Sequence, residues 1–203
     1  MRHGQTEYNR AGRVQGTIDI ELNATGREQA RLCAEALPRF LAGRRVGALV
    51  SSDLSRAHAT ASELAERLGI EVALDPRIRE RAFGGFEGLS RLELETYRAE
   101  EYALWRAGRP PAEMDVEPKL DVAERMTAAV TRHAASLAEE ETLVVVGHGS
   151  ALTILMTSLV GDDPERGWPL RGLDNCHWSE LGHQVERAPA WQLRFHNIGA
   201  ELW

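Results

Sequence analysis

At 203 residues, with 43% hydrophobic and 27% charged side chains, the chain is long enough for one α/β domain with a substantial core and too apolar for disorder. Lys and Arg total 24 against 31 Asp and Glu, a net charge of -7, which argues against a sequence-independent grip on nucleic acid and leaves any positive field local. The longest apolar runs, Leu143 to Val146 and Ala151 to Val160, are too short or too interrupted to span a bilayer, so no membrane partner is expected and the cytoplasm is the expected location.

In chain order, Arg2-His3-Gly4-Gln5-Thr6 opens the sequence, and Thr25 to Glu28 matches a capping box. Ala30, Cys33, Ala34, Leu37 and Leu41 then recur at helical spacing. Val46 to Val50 reads as a buried strand, and Ser51-Ser52-Asp53 as the start of a helix with Arg56 on its first turn. Ala57, Ala61, Leu64 and Leu68 carry that helix to Gly69, and Ile70 to Leu74 makes a further strand. Two helices are predicted over Ser90 to Trp105 and Lys119 to Ala138, with a surface loop around Gly108 to Pro111 lying over a site. Thr142 to Val146 is a strand leading through Gly147-His148-Gly149 into a helix over Ser150 to Leu159. Cys176 to Leu181 and Trp191 to Phe195 close the chain as an antiparallel pair connected by His183 to Ala190. One domain over residues 1–203 follows from this order.

The chemistry centres on two histidines. His148 stands between glycines where an apolar strand ends, and in open α/β sheets the carboxyl ends of strands face the ligand crevice. His3 has a similar setting, with Arg2 beside it. A neutral imidazole can attack phosphorus without a metal, and Arg2 and Arg56 offer guanidinium forks matched to phosphate oxygens. The helix that begins at Gly149 directs N–H groups toward an anion. Glu80, in the Gly-rich stretch Ile78 to Gly88, is the candidate proton donor, with Glu87 as its competitor. Asn9 and Gln15 are candidate hydrogen-bond donors to a phosphate. Taken singly, each residue has an ordinary structural explanation; taken in order they point to a phosphoryl group. His58, His133, His177, His183 and His196 lack such context, and the five Trp residues read as core or interface. Cys33 and Cys176, without CxxC spacing, read as reduced core thiols, and neither a metal nor a cofactor is expected.

Taken together, Arg2-His3-Gly4-Gln5-Thr6 with Asn9, Ser51 to Ala57 with Thr60-Ala61, Arg79-Glu80 with Phe83-Gly84 and Glu87-Gly88, and Gly147-His148-Gly149 resemble the histidine phosphatase superfamily, in its phosphoglycerate mutase-like branch. The resemblance implies a three-layer α/β/α sandwich with a mostly parallel central sheet and an antiparallel strand near the C-terminus. It also implies metal-independent hydrolysis of a small phosphorylated metabolite, with His3 phosphorylated, Glu80 as proton donor, and Arg2, Arg56 and His148 around the phosphate. Asn9, Gln15, Gly16 and Gly149 match flanking contacts. Gly12 to Gly16, Asn175 to Leu181 and Trp191 to Leu193 look like actinobacterial glucosyl-3-phosphoglycerate phosphatases, which implies a glycosylated glycerate as substrate. A diphosphoglycerate-dependent mutase, or a phosphate-binding module with an impaired site, are the alternatives. Two departures from the family stand out. Relatives carry an apolar strand before Arg-His-Gly, so a central strand ahead of Arg2 is expected to be missing here. Val116-Glu117-Pro118-Lys119 replaces a Gly-Gly-Glu-Ser segment, so contacts over the substrate are expected to differ. The antiparallel pair and exposed Trp side chains hint at a homodimer.

Overall fold

The computed structural model describes residues 1–166, 171–184 and 186–202. In chain order these form α1 (Glu7–Arg10), α2 (Ala24–Leu41), β1 (Val46–Ser51), α3 (Ser55–Leu68), β2 (Val72–Leu74), α4 (Arg91–Tyr97) and α5 (Ala99–Arg106). There follow α6 (Lys119–Ala134), β3 (Thr142–Val146), α7 (Gly149–Leu159), β4 (Trp178–His183) and β5 (Trp191–Ile198). β1 pairs in parallel with β2 on one side and β3 on the other. Side chains alternate across this sheet: Leu49, Val144 and Val146 enter the core under α2 and α3, whereas Val50, Leu143 and Val145 face α6 and α7. Two apolar layers on opposite faces of one sheet make the α/β/α sandwich that the motif order implies.

Met1 to His3 run beside the end of β3 as a parallel rung: Met1 N donates to Val145 O, Gly147 N to Met1 O, and His3 N to Gly147 O. Their other edge meets residues 176 and 177, through Arg2 N to His177 O and Cys176 N to Arg2 O. The antiparallel β4–β5 ribbon continues from there. The His3 backbone is thus gripped on both sides at the carboxyl end of the sheet.

Several element boundaries differ from the sequence expectation. α2 begins at Ala24, capped by Asn23, whose Oδ1 accepts from Gly26 N at 2.8 Å; the cap is not the Thr25 to Glu28 box. The helix predicted over Ser90 to Trp105 is broken at Arg98 (φ -141°, ψ 35°) into α4 and α5. No Gly or Pro marks the break; the turn lets Tyr102 and Trp105 join a small separate cluster around Phe86, Leu94 and Met114. α6 ends at Ala134, short of Ala138, and β4 begins at Trp178, after Cys176, whose left-handed φ of 57° lies outside the extended region. The helix α1 was not predicted; Thr6 and Asn9 close a capping box around it. Cys33 and Cys176 are both buried free thiols, and Cys33 Sγ donates to Cys176 O at 3.2 Å. Trp178 is buried and Trp105 and Trp191 are half-buried, while Trp168 and Trp203, and Val185 in the predicted connection between β4 and β5, lie outside the described residues.

Candidate active site

The loop that carries His3 is seated by close backbone approach. A Cβ on Gly4 would collide with Gly26 O, and one on Gly26 would collide with Gln5 O, so this loop and the first turn of α2 can touch only with glycine at both places. Gly4 N donates to Thr60 Oγ1 at 3.1 Å, and Asn175 Nδ2 donates to His3 O at 3.0 Å. His3 Nδ1 lies 2.7 Å from Gly4 O, the arrangement of an Nδ1–H donor, which leaves the lone pair on Nε2. Burial, and then the charges of Arg2 and Arg56, hold the His3 pKa well below the ordinary 6.5. A neutral imidazole with Nε2 available is the form a nucleophile needs.

Arg56, in the first turn of α3, is fully buried and bonded at each nitrogen: Nε to His148 Nδ1 at 3.2 Å, Nη1 to Ile18 O at 2.8 Å and Nη2 to Gly16 O at 2.7 Å. Because His148 Nδ1 accepts, its Nε2 carries the hydrogen, and that buried Nε2 has no partner among the described residues. Burial, then His3 and the two arginines, hold the His148 pKa well below 6.5, so His148 is a neutral donor and not a third cation. Its ring centroid stands 5.1 Å from that of His3. Arg2 gives Nη1 to Leu173 O at 2.7 Å, and its buried Nε is also unpartnered. A buried unpaired donor costs about 1–3 kcal/mol, so these two nitrogens mark a place arranged for an acceptor.

Glu80 reaches the same place from the opposite side. Its Oε1 accepts from Arg81 N at 2.9 Å and Ala151 N at 2.8 Å, and its Oε2 from Ser150 N at 3.1 Å. The N-terminus of α7 is therefore largely occupied by Glu80, in contrast to the sequence reading that its N–H groups are free for an anion. The backbone around Glu80 is clamped by Arg125, which donates to Arg77 O, Arg79 O and Glu80 O and pairs with Glu117 at 2.7 Å. Glu117 in turn accepts from Ala82 N. The Val116 to Lys119 departure thus lies behind the Glu80 loop, and none of its residues lines the cavity described below. Glu87 is not in the cavity wall; it is tied to Thr17 N and Phe83 N, joining the two loops that carry Gly16 and Phe83.

A cavity of about 470 Å³ gathers Arg2, His3, Asn9, Gln15, Gly16, Arg56, Glu80 and Gly149 in its wall, with His148 fully buried just behind. Asn9 Oδ1 accepts from Thr6 N and Asn175 Nδ2, and Gln15 Oε1 accepts from Thr6 Oγ1, so both amides have their NH₂ groups left to donate. Gly16 contributes by its carbonyl to Arg56. His133, His177, His183, His196 and His58 stay out of the wall; His196 Nε2 meets Arg171 O at 2.6 Å and so steadies the loop that offers Leu173 O to Arg2. Sequence reasoning gave no role to Asn175, Thr60, Thr6, Phe83, Trp105 or Arg171. Asn175 and Thr60 sat within recognisable motifs, but their partners are remote in the chain. No group of three or more His, Cys, Asp or Glu able to hold a metal occurs among the described residues.

Residues 1–198 match the family described as the histidine phosphatase superfamily, branch 1. The chain is 37% identical to the glucosyl-3-phosphoglycerate phosphatase of Mycolicibacterium vanbaalenii, over 100% of this chain and 94% of that protein. It is 34% identical to a probable phosphoglycerate mutase of Serratia proteamaculans, over 91% of this chain and 83% of that one. Among solved structures, a mycobacterial glucosyl-3-phosphoglycerate phosphatase complexed with VO3 superposes with a TM-score of 0.86 at 34% identity, covering 98% of this chain and 96% of that one.

Proposed function

The chain belongs to the histidine phosphatase superfamily and is a phosphatase, and from that premise we propose that it hydrolyses phosphomonoesters without a metal, through a phosphohistidine on His3. The proposed substrate is glucosyl-3-phosphoglycerate or a related sugar or glycerate phosphate. The observation that carries this reading is a neutral His3, its Nε2 lone pair free, beside the unpartnered Arg2 Nε and His148 Nε2. His3 Nε2 attacks phosphorus, the P–O bond to the alcohol breaks, and the alkoxide takes a proton from Glu80. Water then attacks the phosphohistidine, Glu80 takes its proton, and inorganic phosphate leaves with His3 restored. Arg2, Arg56, the His148 Nε2–H and the amides of Asn9 and Gln15 hold the phosphoryl oxygens as charge builds on them. The substrate assignment is supported by the two mycobacterial relatives and by a cavity larger than a phosphoryl group.

The same reading treats residues 1–203 as one domain working in the cytoplasm as a homodimer. Its support is the pair of buried free thiols, which suits a reducing compartment, and the exposed Phe195 on β5. Light scattering during gel filtration tests the dimer.

Phosphate release in EDTA, from glucosyl-3-phosphoglycerate, mannosyl-3-phosphoglycerate, 3-phosphoglycerate and common sugar phosphates, tests the mechanism, with His3→Ala as control. Metal-independent turnover that falls by about 10⁴-fold or more in the control is expected. Turnover that needs a metal, survives in His3→Ala, or passes phosphate to a second glycerate in preference to water would overturn it.

A further inference from the structure

A phosphoryl group displaces roughly three waters, about 90 Å³ at about 30 Å³ each, so most of the 470 Å³ cavity lies beyond the phosphoryl end. Its remaining wall is apolar on one side, where Val14, Phe83 and Trp105 stand, and polar at Arg171 and Asp174. The Trp105 indole, on α5, lies flat on the fully buried Phe86, with ring centroids 4.6 Å apart and planes at 11°; Phe83 meets it at 5.3 Å and Tyr102 at 5.9 Å. Three aromatic neighbours fix the ring, so it is ordered before a ligand arrives. The indole, still half-exposed, forms part of the cavity wall. Arg13, in the same wall, is spent on Gly88 O at 2.6 Å and on Glu93 at 2.8 Å, which removes it as a free anchor for the organic part of a substrate.

We infer that Trp105 is a specificity-determining residue, whose indole forms a platform for the alcohol portion of the phosphomonoester and selects alcohols that carry a ring over short ones. This rests on the phosphomonoesterase reading of the same cavity. A short ester fills the phosphoryl end and leaves the indole facing water; a glycosylated ester lays the apolar face of its ring against it and removes both surfaces from water.

The test is equilibrium binding by calorimetry to His3→Ala protein, which removes turnover, with and without Trp105→Leu. Glucosyl-3-phosphoglycerate should bind about tenfold more weakly to the Leu variant, and 3-phosphoglycerate should change by less than about twofold, as expected for one lost aromatic contact. Trp105→Phe should recover most of the loss. With His3 intact the same split should appear in KM. Equal weakening of both esters, no weakening of either, or failure of the glucosylated ester to bind would overturn the inference. If thermal melting shows that Trp105→Leu does not fold, Phe83→Leu, in the same apolar wall, carries the same comparison. A split in binding without turnover by the wild type would sink the phosphohistidine mechanism and leave the platform standing; turnover without the split would do the reverse.

Discussion

The phosphoryl end of the cavity and its outer wall are built from different materials. His3, Arg56 and His148 are buried among backbone ladders and carbonyls, and Arg56 alone bridges His148, Ile18 and Gly16. Phe83 and Trp105 belong instead to a small cluster with Phe86, Leu94 and Met114, separate from the two apolar layers that flank the sheet. Each group at the phosphoryl end is positioned by something remote in sequence: Asn175 on His3, Leu173 on Arg2, the start of α7 on Glu80. The outer wall is positioned mainly by neighbours within residues 83–116. An end fixed by the whole sandwich suits a reaction step common to all substrates, whereas a locally built wall can change its side chains without disturbing the sheet.

The largest expected effect that would break this contrast is at Arg56. Lys in its place keeps the charge but offers its three N–H groups from one nitrogen instead of three, so it cannot reach His148 Nδ1, Ile18 O and Gly16 O together. Arg56→Lys should lower kcat by about 10²–10³ on every ester, and should also lower the melting temperature, since each buried carbonyl left unpaired costs about 1–3 kcal/mol. Kinetics on both a glycosylated and a short ester check this. A loss of less than about fivefold would mean that the charge alone, and not the fork, matters at this end.

A smaller effect, about tenfold in kcat, is expected for Asn175→Ala, which removes the donor to His3 O and the partner of Asn9 Oδ1, each bond contributing about 1 kcal/mol. It should fall equally on short and glycosylated esters. That uniformity separates Asn175, a positioning residue, from Trp105; a substrate-dependent loss at Asn175 would erase the boundary between the two regions.

The phosphoryl end was largely legible in the sequence, because Gly-flanked histidines at strand ends and an arginine on a first helical turn are local patterns. The residues that hold them were not, because their contacts are made only by folding: Asn175 meets His3 across 172 positions. The occupancy of the α7 N-terminus by Glu80 was hidden for the same reason, since it depends on where a distant loop lands. The order of helices and strands followed from the apolar runs and the sandwich from the family resemblance, but the break at Arg98 carries no Gly or Pro, and Trp105 has the spacing of any core residue on an amphipathic helix. Its place in the cavity wall comes from that break.

The pH dependence of stability sharpens the contrast from the thermodynamic side. His3 and His148 both titrate well below the ordinary 6.5, first because burial disfavours the imidazolium and then because nearby groups repel it, Arg2 and Arg56 at His3, and His3 followed by Arg56 and Arg2 at His148. In the unfolded chain both return to about 6.5, so below that pH the unfolded state binds protons that the native state refuses. The sign is therefore fixed: the contribution is present above about pH 6.5, begins to be lost as pH falls below that value, and goes on being lost down to the lower native values. With native values far lower, the two groups together remove about 2 kcal/mol at pH 6.0, half from each. Urea unfolding at pH 7.5 and 6.0 should show His148→Gln losing about 1 kcal/mol less than the wild type between the two conditions, and Trp105→Leu losing the same amount as the wild type. Equal losses in wild type and His148→Gln would mean that the buried imidazole takes up a proton in the native protein as readily as in the unfolded chain, and a neutral nucleophile beside it would then lose its physical basis.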